Sequence, residues 1–340
     1  MTYKKSYIIL LLCAFCFFSC TKKNIKQGIF CDHHEVISDV TDCDTITGKL
    51  FIPKDTTTRT FRINIVDNYL VKETNKANNI IAVYNLHGKY IGGFGNIGNA
   101  RNEFTDGYVM NQQSSNGDVW GRDGNVRKLY SFNIDASLRT KSPVIKKSFD
   151  VDFGSRNAFY VNDTTIVYDY ASADNINLKI VNPVTKASQN IELFKPHDDA
   201  MNTYAMCSAI NLNKGVIAMG MQFVNQMNFI SINGQDKKSV SLYKDATIVE
   251  NYEDRTIYYG CVAPTDKYVC ALYANLPLKN IIKGLPAPNP REIHVFDWDG
   301  NFRKKIVLKE NVSIITFDKD YNMYGLTEDG EVYKYKNVLN

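Results

Sequence analysis

A short apolar segment closed by a turn residue recurs along the chain, and its spacing restricts the fold more than any other feature. The copies are Ile81 to Asn85 (IAVYN), Leu129 to Asn133 (LYSFN), Leu178 to Asn182 (LKIVN), Phe229 to Asn233 (FISIN), Ile293 to Asp297 (IHVFD) and Val332 to Lys336 (VYKYK). Measured at their last residues, they stand 48, 49, 51, 64 and 39 residues apart. A strand-like run precedes each copy. In the first five copies a turn and a further run follow, as in Tyr90 to Phe94, Gln189 to Phe194 and Arg303 to Leu308. Four strands per unit at this period describe a propeller blade, which manages its sheet edges by radial repetition. A β-sandwich gives no reason for six equal units.

The chain has 340 residues, 44% of them hydrophobic, which is enough to fill a ring of blades, and helical periodicity is almost absent. The sixth copy is followed only by Asn337 to Asn340, so its outer strand is missing. Gly48 to Ile52 (GKLFI) is a spare strand able to supply it. The expectation is an all-β six-bladed propeller of four-stranded antiparallel blades. It forms one domain over 31–340, closed by the strand at 48–52. The 40 Lys and Arg against 36 Asp and Glu leave a net charge of +4, too weak and dispersed for a nucleic-acid partner.

The stretch Gly88 to Phe104 (GKYIGGFGNIGNARNEF) resembles a Gly-rich motif of six-bladed NHL- and TolB-like propeller lipoproteins common in Bacteroidetes. It departs from that motif at Asn99-Ala100-Arg101-Asn102, where a Gly-Pro pair is usual. The resemblance implies fold and anchoring rather than chemistry. On physical grounds Gly92, Gly93, Gly95 and Gly98 are expected to permit positive φ where one blade passes to the next.

The chain begins with Lys4 and Lys5 and an apolar run from Tyr7 to Phe18, too short to cross a bilayer as a helix and typical of a secretory signal. Its end, Phe17-Phe18-Ser19-Cys20, resembles the lipobox of bacterial lipoproteins. That resemblance implies cleavage of 1–19 and acylation of Cys20, with several chains anchoring the protein stably. The alternative is an ordinary cleaved signal with an incidental cysteine. Residues 20–30 then form a tether, whose Lys22, Lys23 and Lys26 are unaccompanied by acids. Surface-exposed lipoproteins of the resembled Bacteroidetes kind tend to carry acidic residues just after the cysteine, so the departure from that pattern implies a periplasm-facing anchor.

Five cysteines remain beyond Cys20: Cys31, Cys43, Cys207, Cys261 and Cys270. A hairpin turning at Thr265-Asp266 would set Cys261 opposite Cys270, where a disulfide can form; the alternative is two buried thiols. Among these five no CxxC occurs, and zinc-ligand spacing is absent.

Asp318-x-Asp320-x-Asn322 opens like a calcium loop but has Met323 where the glycine belongs, so a β-turn is expected. His33-His34-Glu35 is expected at the surface, and His197-Asp198-Asp199 in a solvated loop between blades three and four. No catalytic, metal or cofactor residue is assigned. The long step before Ile293 holds Leu276 to Pro290, with four of the nine prolines. Its apolar set of Leu276, Leu278, Ile281, Ile282 and Leu285 is the expected partner surface; the alternative is a loop folded over its own blade. The functional expectation is a monomeric, lipid-anchored binding module of the cell envelope with a protein or glycan partner. An enzyme is the alternative, since the resemblance to six-bladed propellers admits lactonases and lyases with a metal in the central tunnel.

Overall fold

The computed structural model describes residues 29–339 except 32, 42, 77, 101–102, 106, 110–111, 113–116, 173 and 286–290. Six antiparallel sheets follow one another along the chain, at 60–96, 107–150, 155–192, 206–242, 256–308 and 312–335. The fold is the expected all-β six-bladed propeller. Each recurring apolar segment is the third strand of its blade, where side chains on both faces meet a neighbouring blade. The lipid-attachment residue Cys20 and the signal segment lie outside the described residues.

The core is not one mass but six layers, one in each gap between blades. Val83 and Phe94 meet Phe132 between blades one and two, and Trp120 and Leu129 meet Ile166 between two and three. Ile52 and Val332 meet Ile63 and Leu70 where the last blade meets the first. Apolar burial in every gap joins each blade to both of its neighbours.

The N-terminal segment follows the outside of half the ring. Strand β1 (His34–Ile37) lies parallel on the outer strand of blade four, with His34 opposite Ser239. Strand β2 (Cys43–Ile46) lies parallel on that of blade five, with Cys43 opposite Lys305. Strand β3 (Lys49–Ile52) then completes blade six, antiparallel to its third strand, with Ile52 opposite Val332. The closure at 48–52 is as expected; the two preceding strands are not. They correct the reading of His34 as surface: its ring is buried, hydrogen-bonded to Ser239 Oγ at 2.8 Å and to Asp245 at 3.2 Å. Phe30, expected in the tether, is buried 5.6 Å from the Phe194 ring. At Gly48 the belt crosses Tyr335 so closely that a Cβ would lie 2.7 Å from its ring.

Of the four glycines expected to need positive φ, only Gly95 has one, at +81°. A side chain there would also strike the Phe104 ring at 2.6 Å. Phe104 N donates to Asn96 O and Gly98 N donates to Phe104 O, so the Gly-rich stretch closes a lock between blades one and two.

A single regular helix interrupts the strands of blade two, α1 (Ile134–Thr140), where Asn133 Oδ1 accepts from Ala136 N.

The expected cysteine pairing is corrected by register. The hairpin turns through Thr265–Tyr268, with Thr265 N donating to Tyr268 O, so Cys270 faces Ala263 and Cys261 faces Leu272. Both are free thiols in the layer between blades five and six. Burial pushes both thiols up.

Candidate binding corner and tunnel mouth

The long fifth step has two causes. The first two strands of blade five, Thr256–Pro264 and Tyr268–Pro277, are nine and ten residues long. Beyond Pro277 the chain forms a short helix, α3 (Leu278–Ile282); α2 (Ala200–Thr203) lies in the link from blade three to four. Helix α3 begins with Leu278 N donating to Arg255 O and ends at left-handed Gly284, where Leu285 N donates back to Asn280 O.

The apolar set expected to form one partner surface divides in two. Leu276 pairs with Ile257 inside the blade, and Leu278 is buried against Ala205 and Phe223. Ile281, Ile282 and Leu285 are exposed at 46%, 60% and 52%. Tyr252 and Met201 are exposed in the elements that join this corner. The end of the segment, 286–290, lies outside the described residues.

Arg255 holds the corner together, and nothing in sequence spacing points to it. It is 1% exposed; its Nε donates to Val249 O, and Nη2 donates to Asp199 Oδ2 at 3.0 Å and to Thr203 Oγ1 at 3.1 Å. Its guanidinium also lies over the Phe223 and Tyr252 rings. His197 bonds Glu250 at 3.1 Å and accepts from Asp199 N, so His197-Asp198-Asp199 is partly a structural corner rather than a solvated loop. The link from blade three, the link to blade five and α3 are thereby fixed to one buried cation.

At the opposite face, the turns joining first and second strands surround a polar cavity of about 660 Å³ at the tunnel mouth. Its carboxylates are engaged within the fold. Asp318 Oδ1 accepts from the N–H groups of Asp320 and Asn322, and Oδ2 accepts from Tyr324 O–H at 3.1 Å. The calcium-like spacing is therefore the expected β-turn, with Tyr321 left-handed at φ 58°. Asp266 accepts from Tyr321 O–H at 2.7 Å, and Asp67 accepts from Gly117 N at 2.6 Å. Burial and the Asp266 carboxylate push the Tyr321 phenol up to about 12. Among the described residues no three His, Cys, Asp or Glu side chains are grouped to hold a metal ion, and no helix is long and apolar enough to cross a membrane.

No protein-family model matches the chain, and no curated protein matches it. Solved structures share its architecture. A DUF4221-family member from Bacteroides vulgatus aligns with a TM-score of 0.54 at 11% identity, over 84% of this chain and 93% of that one. A Bacteroides fragilis protein assigned as exported aligns at 0.51 and 11%, over 86% and 99%. Kuenenia stuttgartiensis hydrazine synthase aligns at 0.50 and 9%, over 83% and 84%. At such identities the likeness is one of fold, a scaffold that hosts unrelated functions.

Proposed function

We propose that the protein is a lipid-anchored binding module of the cell envelope that engages a protein partner through the corner formed by α3 and its neighbours. The observation that carries this reading is the exposure of Ile281, Ile282 and Leu285 together, on a base fixed by buried Arg255. Large aliphatic side chains gathered in water on a rigid support mark interaction sites. The Phe-Phe-Ser-Cys20 sequence supports the anchor, and the likeness of Gly88 to Phe104 to NHL- and TolB-like lipoproteins, with a Bacteroides fragilis relative in fold assigned as exported, supports the compartment.

A photo-crosslinking residue placed at Ile282 in the intact cell should give a discrete adduct. The same residue at Val184, exposed in a turn of blade three, should give none. The adduct should vanish when Ile281 is changed to Asp; equal labelling from both positions would remove the corner as the contact surface. The anchor is tested separately by mass spectrometry of the native N-terminus: acylated Cys20 is expected, and an unmodified start elsewhere would exclude lipidation.

A further inference from the structure

The seam where β3 closes the ring carries a second cavity, of about 690 Å³, distinct from both the corner and the tunnel mouth. Leu50, Phe51 and Tyr335 line it beside Lys49, Lys334, Lys336 and His87; Leu50 is exposed and Phe51 half-buried, whereas the Tyr335 ring is buried. No carboxylate lines it. Glu310, beside the cavity, is engaged within the fold: its Oε2 accepts from Tyr335 O–H at 2.7 Å and from Gly48 N at 3.1 Å.

Lys49 stands opposite Lys334 across the seam, and Lys336 lies two residues beyond Lys334, just past the end of that strand, so the three are brought together by the pairing of β3. Lys128, Lys179, Lys238 and Lys304 each have a carboxylate within 4 Å. Among the described residues, Lys49, Lys334 and Lys336 have none. Lys334 lies instead over the Tyr324 ring, 4.9 Å from its centroid, and over Phe51 at 5.8 Å. Cations left unpaired around one concavity repel each other, and a bound anion relieves that repulsion while low-dielectric walls focus the field. Lysine is a point-charge partner for phosphate, and several converging lysines suit a multiply charged head group. The accessible Leu50 and Phe51 side chains beside them suit a hydrocarbon or aromatic body.

We propose that this seam cavity binds an organic phosphate: a phosphate head held by Lys49, Lys334 and Lys336, with an apolar or aromatic body on Leu50 and Phe51. The head group has two sources, a soluble phosphate ester or an anionic phospholipid. Because β3 forms one wall, the ligand joins the closing strand to blade six and stabilises the closed ring by mass action.

The test uses the purified mature protein in micelles of a neutral detergent, at constant ionic strength. Phenyl phosphate should raise the melting temperature and bind by calorimetry at least tenfold more tightly than inorganic phosphate, which lacks the body. Doping the micelles with phosphatidylglycerol, against phosphatidylcholine, supplies the lipid arm. A response to phenyl phosphate alone assigns a soluble ester; a response to phosphatidylglycerol assigns a lipid head. Lys334→Gln with Lys336→Gln should weaken whichever response is seen at least tenfold, and exposed Lys49→Gln should weaken it without altering the fold. Lys128→Gln, paired with Asp150 elsewhere, should leave it unchanged. Absence of both responses, or equal loss in the Lys128 variant, would overturn the proposal.

Discussion

Replacing Ile52 by alanine removes most of a side chain that is 4% exposed and packed against Ile63, Leu70, Leu326 and Val332 in the layer between blades six and one. Such a change in a filled core costs about 3 kcal/mol, within a range of about 2–5. The unfolding entropy of a domain this size, at about 2.1 cal/mol/K per residue, is roughly 0.65 kcal/mol/K, so the melting temperature should fall by about 5 °C. Leu50 is the internal control. A bulge at Phe51 shifts the register, leaving Leu50 opposite Tyr333 and 46% exposed. Leu50→Ala should cost under about 0.5 kcal/mol and move the midpoint by less than about 1 °C. Differential scanning calorimetry of the two variants and the parent reads both numbers in one experiment. A chain beginning at Phe61, which lacks the whole belt, should expose the edge of blade six and aggregate. If Ile52→Ala melted with the parent, β3 would not belong to the cooperative unit and the account of ring closure would fail.

Three further outcomes follow from the same geometry. Cutting 279–290 back to a Gly-Asn turn should leave the melting temperature nearly unchanged, whereas a cut that starts at Leu276 unseats two buried leucines and should cost about 4 kcal/mol or more by calorimetry. In the native protein exposed Cys43 should alkylate quickly, and Cys207, Cys261 and Cys270, whose thiols burial pushes up, slowly; a Cys261–Cys270 disulfide found by non-reducing peptide mapping would refute the register. His294 is buried between Tyr259 at 3.1 Å and Glu292 at 3.2 Å, faces Tyr243 and Tyr273, and burial lowers its pKa from the ordinary 6.5. The unfolded chain therefore takes up this proton first as pH falls, so stability present above about 6.5 is lost below it until the folded value is passed; His294→Gln should flatten the decline of melting temperature between pH 7 and 5, and an unchanged slope would assign it to other groups.

What the sequence discloses here follows from how each feature is encoded. The third strands repeat because both their faces are covered, so Val83, Leu129, Ile230 and Val295 had to be apolar and the period is visible. The outer strand missing after Lys336 could be inferred by counting. Register across the Cys261 hairpin could not, because a turn two residues longer at Thr265–Tyr268 moves every pairing without altering the alternation. The parallel seats of β1 and β2 leave no mark either: four-residue edge strands have no partner pattern of their own. The corner was half legible. Length and proline content located it, but which leucines turn inward depends on Phe223 and Ala205, residues far away in sequence. Arg255 carried no signal, since a buried arginine is defined by its partners.

The belt also has a mechanical side. With the proposed anchor at Cys20, drag on the domain would enter the described belt at its N-terminal end, near Phe30. A pull along the run of the belt loads β1 against Ser239 to Leu242 and β2 against Lys305 to Leu308. Strands drawn lengthwise past a parallel neighbour share the load across all their hydrogen bonds at once, instead of opening one after another. Such a pull would load the parallel pairings on blades four and five ahead of β3, the strand whose loss would open the ring.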